Sequence, residues 1–182
     1  MLKIVTVPHP VLSSEAETVA VFDGSISKLI REMAETLNDQ IDPEGVGLAA
    51  PQVGISKAIF IIKPKEKGKP KAFINPRILE SEVAIEEKET GKKKKKGKKR
   101  IKLEGCLSIG RIWGTVKRNN KILLEYQDQK GVKKKGWFLG FEAVIIQHEV
   151  DHLKGVLFTQ RVLEQGGSLY EEKDGELKKM KY

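Results

Sequence analysis

The sequence predicts an α+β fold in which antiparallel and mixed β-sheets pack around a central helix, with an amphipathic helix near the N-terminus. Three features predict it. Apolar residues recur at helical spacing in 25–41 and again in 141–154. The chain between these segments is broken into short apolar or alternating runs, and turn-forming Gly, Pro, Asn and Asp residues separate the runs.

Each element has its own signal. Ile26, Leu29, Ile30, Met33, Leu37 and Ile41 form one helical face behind Asp23-Gly24, so a helix is expected over Ser25 to Ile41. Asp42-Pro43-Glu44-Gly45-Val46-Gly47 must then be loop. Ala58 to Ile62 is apolar throughout and reads as a strand buried on both faces. Ala72 to Asn75 and Arg77 to Ile85 read as two extended pieces, the first ended by Pro76. Lys121 to Tyr126 and Val132 to Leu139 flank Asp128-Gln129-Lys130-Gly131 and predict a hairpin. Phe141 to Lys154 returns to helical period and stops at Gly155. The tail from about residue 164 is too polar for a packed helix, although Leu169, Tyr170 and Leu177 could add an edge hairpin.

At 182 residues and 39% apolar composition, one domain with one packed core is expected over 1–182. No apolar run is long enough to span a membrane and no signal peptide opens the chain, so a soluble, cytoplasmic protein without membrane partners is expected. The net charge of +9 suggests nucleic acid until it is located. Ten of the 34 basic residues and one of the 25 acidic ones fall within 88–102, so the remainder balances at 24 of each. A sequence-specific nucleic-acid binder is not expected from a charge confined to one segment.

The chemistry is concentrated in His148-Glu149-Val150-Asp151-His152. An i, i+4 spacing puts both imidazoles on one helix face a turn apart, where they can share a metal ion with the Glu beside the open position. Two imidazoles need a further ligand, and no histidine follows His152. Cys106, the single cysteine, is the remaining obvious donor; a buried apolar role or a reactive thiol are its other readings.

Three segments, Gly45-Val46-Gly47-Leu48-Ala49-Ala50-Pro51-Gln52, Glu104-Gly105-Cys106-Leu107-Ser108 and Gln147-His148-Glu149-Val150-Asp151-His152-Leu153, resemble in order the signature motifs of peptide deformylases. The likeness extends from Pro8-His9-Pro10 to about Phe158. It implies a metal-dependent hydrolase that removes the N-formyl group of newly made polypeptides. Cys106, His148 and His152 would be ligands to one divalent ion, Fe(II) by preference, with zinc or nickel tolerated. Glu149 would move the proton, while Gln52 and the Leu107 backbone N–H would face the oxyanion. Val46, Val144, Ile145 and His148 would line the pocket for the methionine side chain, Gly47 and Gly105 would also bind substrate, and Glu104 with Arg118 would brace the cysteine loop. Asp151 either orients an imidazole or faces solvent. Trp113 either contacts substrate or packs in a core, and His9 is not counted as a ligand.

The chain also departs from that pattern. Gly110 stands where proline is usual, Ser13 replaces a common arginine, and the long basic C-terminal helix of many bacterial members is lacking. The Lys-rich insertion at about 88–102 is either a solvated loop or, through 91–100, a phosphate-contacting segment that meets the ribosome. Competing readings are a peptidase that cuts internal bonds, which the His-Glu-x-x-His helix alone permits, and a non-enzymatic RNA binder driven by the lysines.

Overall fold

The computed structural model describes residues 1–42, 44–64, 68–82 and 103–182. The Lys-rich segment and the expected strand end at 83–85 lie outside the described residues. Helix α1 is Gly24–Asn38. Asp23 caps it, accepting a hydrogen bond from the Ser25 N–H at 2.8 Å. Its apolar face, Ile26, Leu29, Ile30, Met33 and Leu37, is buried as expected. The expected continuation to Ile41 does not occur: the chain leaves the helix at Asp39, and Ile41 is 84% exposed. Asn38 and Asp39 are poor helix formers and Pro43 follows closely, so no extra turn can be sustained.

Among the described residues five strands form one sheet in the order β1-β2-β3-β6-β7: β1 Gly47–Ala49, β2 Ile59–Ile62, β3 Lys71–Glu82, β6 Lys121–Gln127 and β7 Lys133–Leu139. The apolar run in β2 is explained by its two covers. Ile59 and Ile61 pack with α1, while Phe60 and Ile62 pack with the second long helix, α2, Gly140–Leu153. Helix α2 is central, with Ala143, Ile145, Ile146, Val150 and Leu153 buried against Phe60, Phe73, Ile122 and Leu124. It ends before Gly155, whose φ of +67° suits the expected stop.

Pro76 does not end a strand. β3 runs through it as a bulge between Ile74 and Arg77, with Asn75 at φ +49°. The Asn75 side chain supplies the missing pairing, accepting from Val19 N–H at 2.8 Å and donating to Val19 O and Gln127 Oε1.

The second sheet has the order β4-β5-β8-β9: β4 Glu104–Gly105, β5 Ile112–Gly114, β8 Leu169–Lys173 and β9 Glu176–Lys179. The tail therefore does form an edge hairpin. A short helix not expected from the sequence, α3 (Phe158–Glu164), buries Phe158 and Val162 with Cys106 and Leu169. Among the described residues all strand pairs are antiparallel, and the mixed character expected is confined to an isolated parallel bridge between Glu17 and Lys57. No helix among the described residues is long and apolar enough to cross a membrane.

Candidate metal centre

Helix α2 and the turn after β4 meet at one point. The helix presents His148 and His152 with ring centroids 4.9 Å apart, and the turn brings Cys106 Sγ to 3.2 Å from His152 Nε2. One ligand atom from each of Cys106, His148 and His152 lies within 4.8 Å of the others. The three residues brought together are the three singled out in the sequence.

The surrounding groups fix this cluster. Glu104 Oε2 accepts from His148 Nδ1 at 3.2 Å, which leaves Nε2 of that ring for a metal. Glu104 is itself gripped by Arg118 through two bonds of 2.9 and 3.0 Å. Arg118 also donates to Asp151 at 2.6 Å, and Arg161 donates to both Asp151 oxygens. Asp151 thus does not face solvent: it is buried and, among the described residues, is linked to the His148 imidazole through Arg118 and Glu104. Nothing in the sequence pointed to Arg161.

Glu149 is buried, and its Oε2 has no hydrogen-bond partner among the described residues, nor has His152 Nδ1. Its other oxygen lies so close to Gly47 that a Cβ there would collide with it. Gly47 is therefore required by the carboxylate and not by a turn. Gln52, fully buried, accepts from the Ala49 N–H at 2.8 Å, and its amide nitrogen donates to Cys106 Sγ at 3.5 Å and Ser108 Oγ at 3.4 Å. Val46, Gly47, Gly105, Leu107, Val144, Ile145 and His148 line one cavity of about 780 Å³, together with Trp113 and Phe141. That size suits a peptide end. Gly110 has φ +68°, a conformation closed to the proline usual at that position. His9 lies outside the cluster, accepting from the Val11 N–H.

The electrostatics match a cation site. Burial pushes the Cys106 thiol up, but His152 and His148 outweigh it and bring it down to about 5, so the sulfur is a thiolate at neutral pH. Burial opposes a charged His148, yet hydrogen bonds to Cys106 and Glu104 hold that imidazole well above its ordinary range. A proton here does what a metal ion would do. Burial raises Glu149 to about 7, against the pull of both histidines. One thiolate, two imidazoles and an unpartnered buried carboxylate oxygen fit a borderline-soft divalent ion.

An α+β fold with a His-Glu-x-x-His helix and a Cys106, His148 and His152 group that could hold one metal ion fits the class of metal-dependent hydrolases. A sequence model of the polypeptide deformylase family matches residues 1–166, and the chain belongs to that family. It is 36% identical over 177 residues to the peptide deformylase of Desulfotalea psychrophila, covering 95% of this chain and 94% of that one. The crystal structure of peptide deformylase from Thermotoga maritima superposes with a TM-score of 0.74 at 37% identity, covering 88% of this chain and 97% of that chain. The Synechococcus elongatus peptide deformylase in complex with actinonin gives 0.72 at 33% identity, over 88% of this chain and 78% of that one.

Proposed function

We propose that this chain hydrolyses the N-formyl group from the formyl-methionine of newly synthesised polypeptides and releases formate. One observation carries the reading: the Cys106, His148 and His152 cluster stands beside the buried Glu149 carboxylate in a peptide-sized cavity. Family membership supports the same activity. Cys106, His148 and His152 would hold one divalent ion, Fe(II) in our assignment with zinc or nickel able to replace it, and that ion would supply a Lewis acid and make water acidic enough to react near neutral pH.

The chain's own groups do the rest. Glu149 takes a proton from the attacking water as its oxygen joins the formyl carbon, and returns a proton to the amine nitrogen as the C–N bond breaks. A carboxyl raised to about 7 suits both halves of that exchange. The Gln52 amide, already anchored by Ala49, and the Leu107 backbone N–H stabilise the developing oxyanion. Val46, Val144, Ile145 and His148 surround the methionine side chain, and Gly47 and Gly105, which line the same cavity, also bind substrate. Among the described residues β1 and β4 each end a sheet, and both border the cavity, so each offers an edge to an extended peptide. Glu104 and Arg118 brace the cysteine loop and the His148 ring.

The test is formate release from formyl-Met-Ala-Ser by anaerobically prepared protein, with metal content measured on the same sample. Formate release that disappears in Glu149→Ala is expected; cleavage of unformylated Met-Ala-Ser in its place would instead mark a peptidase. We further assign the cytoplasm as the setting and the ribosome as a partner through the Lys-rich segment 91–100. Deleting that segment should lower ribosome co-sedimentation at low salt.

A further inference from the structure

The C-terminal hairpin lies beyond residue 166, where the family match ends, yet one of its side chains reaches the cavity wall. β8 pairs with β5 so that Trp113 faces Tyr170 and Ile112 faces Glu171, and the Glu172 N–H donates to the Arg111 carbonyl at 2.9 Å. This register brings the Glu172 carboxylate to 3.0 Å from Trp113 Nε1 and 3.1 Å from an Arg111 nitrogen.

Trp113 is held on two sides. Its N–H is satisfied by Glu172, and its ring covers Gly105, where a Cβ would come within 2.7 Å of the ring. The half-buried ring also lines the cavity. An indole whose polar end is bonded to protein and whose apolar surface borders a binding cavity is an oriented contact for an apolar ligand group. Arg111 extends the connection to Asp42 at 3.3 Å, in the loop leading to Gly45 and Val46. That ion pair is exposed and contributes little, so the orientation of the ring rests on Glu172. The proposed chemistry uses neither residue.

We propose that Trp113 is a specificity-determining wall for a large apolar side chain downstream of the formylated methionine, and that Glu172 is the positioning residue that fixes its ring. This rests on the deformylase reading of the same cavity. The measurement is kcat/KM for formate release from formyl-Met-Ala-Ser, formyl-Met-Phe-Ser and formyl-Met-Ala-Phe, with metal content determined for every variant.

The native chain should favour one of the phenylalanine peptides over formyl-Met-Ala-Ser by roughly two- to tenfold, mainly through KM. Trp113→Ala should bring that ratio to about one, and Glu172→Ala should at least halve it. Glu172→Gln keeps an acceptor for Nε1 and should restore it. No formate from any peptide with metal-loaded native protein would overturn the deformylase reading itself. Formate release with no phenylalanine preference, or a preference that survives Trp113→Ala, would overturn the Trp113 proposal alone. If Trp113→Ala does not fold, an unchanged ratio in Glu172→Ala overturns it equally.

Discussion

Gly47 and Glu149 compete for the same space. The glycine Cα borders the carboxylate so closely that an added Cβ would overlap Oε1 and come to 2.9 Å from both the carboxyl carbon and Ile145 Cγ2. The strand that walls the cavity and the helix that carries Glu149 therefore touch through a missing side chain. Neither neighbour can yield easily, because Glu149 and Ile145 are both buried on α2.

Gly47→Ala should accordingly displace Glu149 without removing a ligand. Formate release should fall by about a hundredfold or more, the scale of a lost acid/base group. Bound metal should stay at one equivalent. Activity within about twofold of the native chain would show that the carboxylate moves aside freely, contrary to this packing.

Arg118 is the hinge of the ionic network, since among the described residues its guanidinium alone touches both Glu104 and Asp151. Its side chain is 8% exposed and those of its partners 12% and 9%. Arg118→Met should leave one carboxylate partly and the other largely uncompensated in the interior. Urea unfolding should show a loss of about 3–5 kcal/mol. A loss under about 1 kcal/mol would mean that the network behaves like a surface ion pair.

How much of this was legible depended on distance along the chain. The His148, Glu149 and His152 grouping needs only helix geometry, and the two-sided burial of Ile59 to Ile62 follows from its unbroken apolar run. Cys106 is different, being 46 residues from His152, and resemblance was needed to join them. The strand through Pro76 could not be read, because its pairing is supplied by the Asn75 side chain to Val19 and Gln127, more than 50 residues away on either side. Helix α3 is only seven residues long and has no side-chain cap to mark its start. Asp151 looked like a neighbour of the imidazoles, but its partners Arg118 and Arg161 come from other elements. Local geometry wrote the His-Glu-x-x-His helix into the sequence; the ionic frame around it is purely tertiary.

That frame should make the protein acid-sensitive. Burial pushes both carboxyls up, but His148 and Arg118 for Glu104, and Arg161 and Arg118 for Asp151, outweigh it and hold them below their ordinary 4.5 and 3.8. A depressed carboxyl stabilises the fold fully above its unfolded value, and that stabilisation is lost as pH falls through the folded one. The unfolding free energy should thus decline as pH falls below about 4. Asp151→Asn, already uncharged, should start less stable and show a shallower decline. An identical slope in the variant would exclude Asp151 from the acid response.

The metal-free cluster is pH-sensitive as well. With Cys106 brought down to about 5 and His148 held well above its ordinary range, the proton at pH 6.5 resides on the imidazole while the sulfur is already thiolate. A divalent ion must then displace an imidazole proton and not a thiol proton. In metal-free protein the thiolate ultraviolet absorbance should be present at pH 6.5, vanish on acidification through about 5, and be missing in Cys106→Ser. Calorimetric zinc titration of Glu149→Gln, which lacks the carboxyl raised to about 7, at pH 6.5 and repeated in buffers of different ionisation enthalpy, should show about one proton released per ion bound. With Glu104→Gln added the imidazole loses a charged partner, so less than one proton should be released at the same pH. Thiolate absorbance that appears only near the free-cysteine value of about 8.5 would refute the assignment, because the two imidazoles would then not be sharing charge with the sulfur.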